Sequence, residues 1–342
     1  MATIKDVAAQ AGVSISTVSH VLNRTRKVSE AARSRVEQAV RELNYAPNSV
    51  ARSLKVNNTR TIGMLVTTNA HPFFAEVVQA VEELCFELGY SLMLCNTENK
   101  PERQLMHLRM LLEKRVDGLL VICTDTPPSL TELLQQHAQI PLVMLDWSRD
   151  NAFADIIHDN AQIGGYLAGK YLVEQGHKDV ACITGHLHKG TSQLRLGGFV
   201  KALEEAGLSL PPAQVVEGDF ESESGYRAMQ QLLRQGFGCT AVFAFCDTMA
   251  FGAICAITQA GLRVPQDISV IGYDDVNMAR FTSPPLTTIS HPKRTLGRWA
   301  LELLLKRIRE KDHQPEQLEL QPRLVVRESV CPPGSRDERL EA

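Results

Sequence analysis

Repeatedly along this sequence a short apolar run, of the kind that forms a buried strand, gives way to aromatic, cationic or carboxylate side chains. After Ile62–Val66 come His71, Phe73 and Phe74. After Leu142–Leu145 come Asp146 and Trp147, and after Val180–Gly185 come Lys189, Thr191 and Arg195. Phe220 and Asp274 close the runs that begin at Val215 and Ile268. In open parallel sheets, ligands bind beyond the carboxyl ends of the strands, which is where all of these fall. Two adjacent rings can clamp a flat ligand, or they can be core residues at a helix start. A strand-end carboxylate can accept paired hydrogen bonds from a ligand, or it can cap the turn that follows. Lys189, Thr191 and Arg195 offer donors to a ligand, and Phe220 offers an apolar wall.

Bond-breaking chemistry finds less support. Gly185–Ser192 approaches a phosphate loop, but the residue after Gly190 is Thr191 and not lysine. No GxGxxG follows a strand. His186 and His188 are metal ligands by type, yet a strand-end loop with two exposed histidines is more often only a loop. No nucleophile, base and acid fall into a recognisable set. The reading is therefore of a binding protein and not an enzyme, with no cofactor and no metal.

A second chemistry belongs to the N-terminus. Residues 1–60 hold ten Lys/Arg against four Asp/Glu, a net of +6, whereas the remainder carries −9. A basic end on an acidic protein suits a polyanion. Within it, Ser14–Asn23 has small polar side chains on one helical face and Ile15, Val18, Val21 and Leu22 at helical spacing. A shorter helix precedes it, with Thr3 as N-cap, and Gly12 can take the positive φ of a tight turn between the two. Two short helices around such a turn make a helix-turn-helix, whose second helix enters the major groove of DNA.

The elements that position these groups follow from periodicity. Ser29-Glu30 opens a third helix, running to about Asn44, with Ala32, Val36, Ala39, Val40 and Leu43 as its buried face. Residues 48–55 have helical propensity but are too short to be stable alone. From Thr61 onward, strands and helices alternate in two successive series, up to a strand at Ile268–Asp274, an amphipathic helix at Leu296–Lys311 and a late strand within Leu318–Val326. Such alternation gives doubly wound parallel sheets, here two with a cleft between them. A length of 342 residues accommodates two or three domains. No apolar run reaches membrane-span length. The chain starts on a polar helix and not a signal peptide, and its eight cysteines include no CxxC pair. The reading is a cytoplasmic protein with reduced, buried thiols.

Met1–Ala8, Val13-Ser14, Thr17–Asn23 and Tyr45–Leu54 together resemble the headpiece of the LacI/GalR family of bacterial repressors, and the similarity extends over nearly the whole chain. The resemblance implies a small all-α helix-turn-helix headpiece followed by an α/β core of two Rossmann-like subdomains, an architecture shared with periplasmic sugar-binding proteins. The divisions are then 1–47 for the headpiece, 48–60 for a hinge helix and linker, 61–331 for the effector-binding and dimerisation core, and 332–342 for a flexible tail. It implies a homodimer on a pseudo-palindromic double-stranded DNA operator, controlled by a small-molecule effector. The implied base readers are Ile15, Ser16, His20 and Arg26, with Leu54 and Lys55 in the minor groove and Lys5, Thr17 and Asn23 as further DNA contacts. Ile15 departs from the polar residue common there: it can touch a thymine methyl but cannot hydrogen-bond.

The implied effector contacts are Phe73, Phe74, Asp146, Trp147, Lys189, Thr191, Arg195, Phe220 and Asp274. This set, together with Gly218–Met229, is similar to purine-responsive members, with Lys189 where those carry arginine. Cys95–Glu98 and Ile183–Gly185 are instead similar to ribose-responsive members. Sugar-binding members tend to carry amides, which both donate to and accept from hydroxyls, where this chain has His71, Cys246 and His291. The expectation is a purine base such as hypoxanthine or guanine acting as corepressor, with ribose as inducer the alternative.

Overall fold

The structure, a computed structural model, describes residues 2–23, 26–45, 58–123, 127–145, 153–236, 238–310 and 314–334. The chain divides into two compact units, Met1–Thr59 and Arg60–Ala342.

The first unit holds α1 (Ile4–Ala11), α2 (Ile15–Asn23) and α3 (Glu30–Glu42). Thr3 and Asp6 form a reciprocal capping box, with the Thr3 backbone N–H donating to Asp6 Oδ2 at 2.8 Å. Gly12 ends α1 at φ 60°, a conformation that favours glycine, and Ser14 Oγ accepts from the Thr17 N–H at 3.1 Å to open α2. Val7, Ala8 and Ala11 pack against Val18, Val21, Val36 and Ala39 in one small core. The expected third helix stops two residues early, at Glu42, because Asn44 turns left-handed at φ 47°. The expected hinge helix at 48–55, with Leu54 and Lys55, lies outside the described residues.

The second unit runs β1 (Thr61–Val66), α4 (Pro72–Leu88), β2 (Ser91–Asn96), α5 (Pro101–Glu113), β3 (Gly118–Ile122), α6 (Pro128–Gln136), β4 (Leu142–Met144) and β5 (Asp155–Asp159). Next come α7 (Ala161–Glu174), β6 (Val180–Thr184), α8 (Gly190–Glu205), β7 (Val215–Glu217), α9 (Ser222–Arg234), β8 (Ala241–Ala244), α10 (Asp247–Gln259) and β9 (Ser269–Asp274). It ends with β10 (Thr287–Ser290), α11 (Lys293–Arg309), β11 (Gln317–Leu320) and β12 (Arg323–Val325). One sheet has the order β11-β5-β4-β3-β1-β2 and is parallel throughout. The other, β12-β10-β9-β8-β6-β7, is parallel except for β12.

Two strands were not legible as apolar runs. β5 reads Asp-Ile-Ile-His-Asp, and β10 reads Thr-Thr-Ile-Ser, yet nearly all of both is buried. The polar ends of β5 are matched one by one. Asp155 takes Arg307 at 3.2 Å and the Glu316 N–H at 2.7 Å. The late strand is in fact two, β11 and β12, one in each sheet. The two series are also not strictly in tandem: α11 follows the second series in sequence but packs on α4 and on the first sheet. The chain therefore crosses between subdomains after β5, after β10 and after β11. Phe220 does not end its strand, since β7 stops at Glu217 and Phe220 stands beyond it at φ 72°.

Candidate functional site

A cleft of about 380 Å³ opens at the carboxyl ends of both sheets. It is lined from the first subdomain by Phe73 and Phe74, and from the second by Lys189, Thr191, Arg195, Phe220 and Asp274. Each is placed by a local device. His71 Nδ1 accepts the Phe73 N–H at 3.3 Å and Pro72 opens α4, so the two rings sit in the first turn beside β1. The rings meet edge to face at 5.2 Å and are also core residues, 4% and 8% exposed. The two readings of this pair are thus compatible. Lys189 is the N-cap of α8, which puts Thr191 and Arg195 on its first turns. Phe220 reaches the cleft by lying over Gly185, where any Cβ would stand 2.0 Å from its ring. Asp146 and Trp147 lie outside the described residues.

Beneath the cleft is a buried charge network. Arg195, 4% exposed, lies 3.9 Å from Asp274 and 3.6 Å from the centre of the Tyr273 ring. It also donates to the Phe245 carbonyl. The Tyr273 hydroxyl donates to Asp159 Oδ2 at 3.0 Å, with His291 Nε2 3.4 Å from the same oxygen. Burial pushes the Asp274 carboxyl up to about 7 and that of Asp159 up to about 6, against the pull of Arg195. Burial and the Arg195 charge drive His291 well below its usual range, so it is a neutral ring beside Asp159 and not an ion-pair partner. The same two causes hold His71 down at about 4. The cleft floor therefore presents a fixed cation beside a carboxylate that titrates near neutrality.

The alternative for Asp274 is a cap on the turn that follows, with Asp275 or the chain itself as partner; the Asp275 carboxylate is taken by Arg327 at 2.5 Å. His186 stacks on His188 at 5.4 Å and bonds Glu217 at 3.1 Å. Among the described residues no three His, Cys, Asp or Glu side chains gather as a metal site.

In the first unit, Ile15, Ser16, Asn23, Arg26 and Lys5 are exposed, while Thr17 and His20 are half-buried. Ile15 is 44% exposed, an apolar side chain on an otherwise polar face. The Ser16 hydroxyl bonds that of Ser14 at 2.8 Å, and the Asn23 amide donates to the Ser19 carbonyl at 2.8 Å.

The model of the bacterial regulatory proteins of the lacI family matches residues 3–48. That of the periplasmic binding proteins and sugar binding domain of the LacI family matches residues 59–328. The chain belongs to the LacI family. Among its relatives, the HTH-type transcriptional repressor PurR of Erwinia tasmaniensis is 53% identical over 99% of this chain and all of its own length. An Escherichia coli protein of the same name is 52% identical with the same coverage. The lac repressor dimer bound to operator and the anti-inducer ONPF superposes with a TM-score of 0.87 at 34% identity, covering 96% of this chain and 99% of that one. An Enterococcus faecium LacI family regulator with bound ribose gives 0.72 at 30% identity, over 80% of this chain and 99% of its own. This LacI-family chain is a DNA-binding transcriptional repressor with a small-molecule effector. Among the described residues no helix is long and apolar enough to cross a membrane.

Several residues of this repressor's cleft escaped the sequence reading. Thr67, Thr68, Glu98, Asn99, Asp219 and Glu221 also line it. All follow strands, so the strand-end rule reaches them, but nothing in their types sets them apart from ordinary loop residues. Asp159 and Lys293 are different: one ends a strand that was not visible, and the other opens a helix far along the chain.

Proposed function

We propose that the cleft holds a purine base, hypoxanthine or guanine, and that its occupancy favours operator binding, which makes the chain a corepressor-dependent repressor of purine genes in the cytoplasm. The observation that carries this is the pairing of ring walls with a donor–acceptor floor. Phe73, Phe74 and Phe220 line the same cleft as Arg195 and Asp274, which stand 3.9 Å apart. A planar base fits between rings. Its ring N–H groups suit Asp274, and its carbonyl and ring nitrogens suit Arg195 and Thr191 through charge-assisted bonds. The curated relatives' name, PurR, supports the same reading.

Ribose is the second reading, favoured by the ribose-bound relative. The side chains that replace the sugar-binding amides speak against it. His71 Nε2 is joined to Thr248 Oγ1 at 3.0 Å, Cys246 Sγ is 3.4 Å from the Phe220 carbonyl, and His291 is 1% exposed. None of the three offers a sugar hydroxyl both a donor and an acceptor.

At the DNA, phosphate contacts from the basic first unit supply most of the affinity, and Ile15, Ser16, His20 and Arg26 read base edges. Calorimetric titration with hypoxanthine, guanine and ribose tests the effector. Binding of a base and not of ribose is expected, and binding of ribose alone would overturn it.

A further inference from the structure

Asp274 and Asp275 both have left-handed backbones, φ 107° and 53°, although neither is glycine. Such residues persist only where their surroundings hold them. The holding group is Lys293. Its Nζ donates to the Asp274 carbonyl at 2.5 Å and to the Asp275 carbonyl at 2.6 Å, and the residue is 6% exposed. Glu76 completes the arrangement, 3.5 Å from Lys293 Nζ and accepting the Asn277 N–H at 2.8 Å.

The origin of these groups matters. Asp274 ends β9 of the second sheet, but Lys293 opens α11 and Glu76 lies on α4, two helices packed together on the first subdomain. Val276, two residues past Asp274, is buried in that subdomain's core beside Leu296 and Val77. The strand-end backbone that carries the Asp274 carboxylate is thus fastened by the other subdomain. Taking an ammonium out of water to hold two carbonyls, with one carboxylate as counter-charge, is costly. Its charge has a further use so close to a carboxylate.

We propose that Lys293 is a positioning residue of the effector site: reaching over from the first subdomain, it fixes the Asp274 backbone and keeps the Asp274 carboxylate ready as the ligand's acceptor. This rests on the reading of Asp274 as an effector contact. Of the groups that face Asp274, Arg195 from α8 and Lys293 from α11 favour its ionised form, and Asp159 from β5 and Glu76 from α4 oppose it; the buried Asp247 carboxyl of α10 and the Cys246 thiol before it also face Asp274, and its charge pushes both of them up. His291 beside them is neutral. Lys293 and Glu76 therefore act on the carboxylate in opposite directions. A role confined to holding the chain in place would not carry these opposite shifts over into opposite changes of ligand affinity.

The test is a carboxyl-carbon NMR titration of Asp274 in the full-length, ligand-free protein, with the signal assigned by Asp274→Asn. The wild-type midpoint is expected near 7. Lys293→Met is expected to move it up and Glu76→Gln to move it down, each by about half a unit or more. Wild-type midpoints in both variants would overturn the proposal. If Lys293→Met does not fold, Glu76→Gln alone decides by its direction. On the same proteins at pH 7, hypoxanthine affinity is expected to fall at least about tenfold in Lys293→Met and to be kept or improved in Glu76→Gln. An undiminished affinity in Lys293→Met would contradict the role. If wild-type protein takes no hypoxanthine, the purine reading fails, and the carboxyl titration still decides the place of Lys293.

Discussion

The Tyr273 hydroxyl and the Asp159 carboxylate, 3.0 Å apart, join the end of β9 to the end of β5 and so tie the second sheet to the first. The same Tyr273 ring carries the Arg195 guanidinium on its face, 3.6 Å from its centre. The cation that faces the effector cleft therefore rests on a ring bonded to the opposite subdomain. A ligand that draws on Arg195 and Asp274 acts on groups shared by both subdomains. That is the physical requirement for an effector to favour one arrangement of the subdomains over another.

Tyr273→Phe keeps the ring under Arg195 and removes only the bond to Asp159. It should cost about 1–3 kcal/mol at pH 7, the usual penalty for a buried acceptor left without its donor. The cost should shrink in acid. Burial holds the Asp159 carboxyl up at about 6, against 3.8 for the ordinary side chain, so the fold prefers its protonated form. That contribution is fully present below about 4 and is lost as pH rises through about 6. Denaturant unfolding of wild type and variant at pH 5 and pH 8 checks this, and an equal difference at both would count against the assignment.

Gly185→Ala should cripple effector binding without contacting the effector. The added Cβ would stand 2.0 Å from the Phe220 ring, which has to leave its place on the cleft wall. Overpacking of this kind costs about 1–3 kcal/mol of stability. Hypoxanthine affinity should fall by more than the fold is weakened. A full thermal shift with hypoxanthine in the variant would show that Phe220 does not form the wall.

Arg26→Ala should weaken operator binding by about 1–3 kcal/mol and relax discrimination, as expected for the loss of a paired contact to a guanine. Lys5→Ala should weaken binding to all duplexes alike and lower the salt dependence. Competition titrations against cognate and scrambled duplexes separate the two. Equal losses on both duplexes for Arg26→Ala would remove it from the base readers.

The parts legible in the sequence were those written as contiguous patterns. The Thr3 cap, Gly12 and the apolar spacing of α1 to α3 are local signals, and the strand-end rule singled out Phe73, Phe74, Lys189, Thr191, Arg195 and Asp274 because each follows an apolar run. What could not be read depends on partners distant in the chain. β5 buries Asp155 and Asp159 because Arg307 and Tyr273 meet them, more than a hundred residues away. Lys293 looks like an ordinary helix-start cation until the carbonyls of Asp274 and Asp275 are placed before it. Phe220 was expected at a strand end, but it reaches the cleft through a left-handed turn that its own sequence does not announce.

Operator binding with and without hypoxanthine, in wild type and in Asp274→Asn, tests most directly whether the cleft controls the headpiece. The substitution preserves size, and asparagine tolerates positive φ, so the backbone at this position can be kept. Fluorescence anisotropy on one pseudo-palindromic duplex at fixed salt is sufficient, because affinity for DNA has meaning only at stated ionic strength. Hypoxanthine should tighten operator binding by wild type about tenfold or more and leave Asp274→Asn at the affinity of ligand-free wild type. Equal tightening in both proteins, or no response in wild type, would contradict a purine-controlled repressor with Asp274 in its effector site.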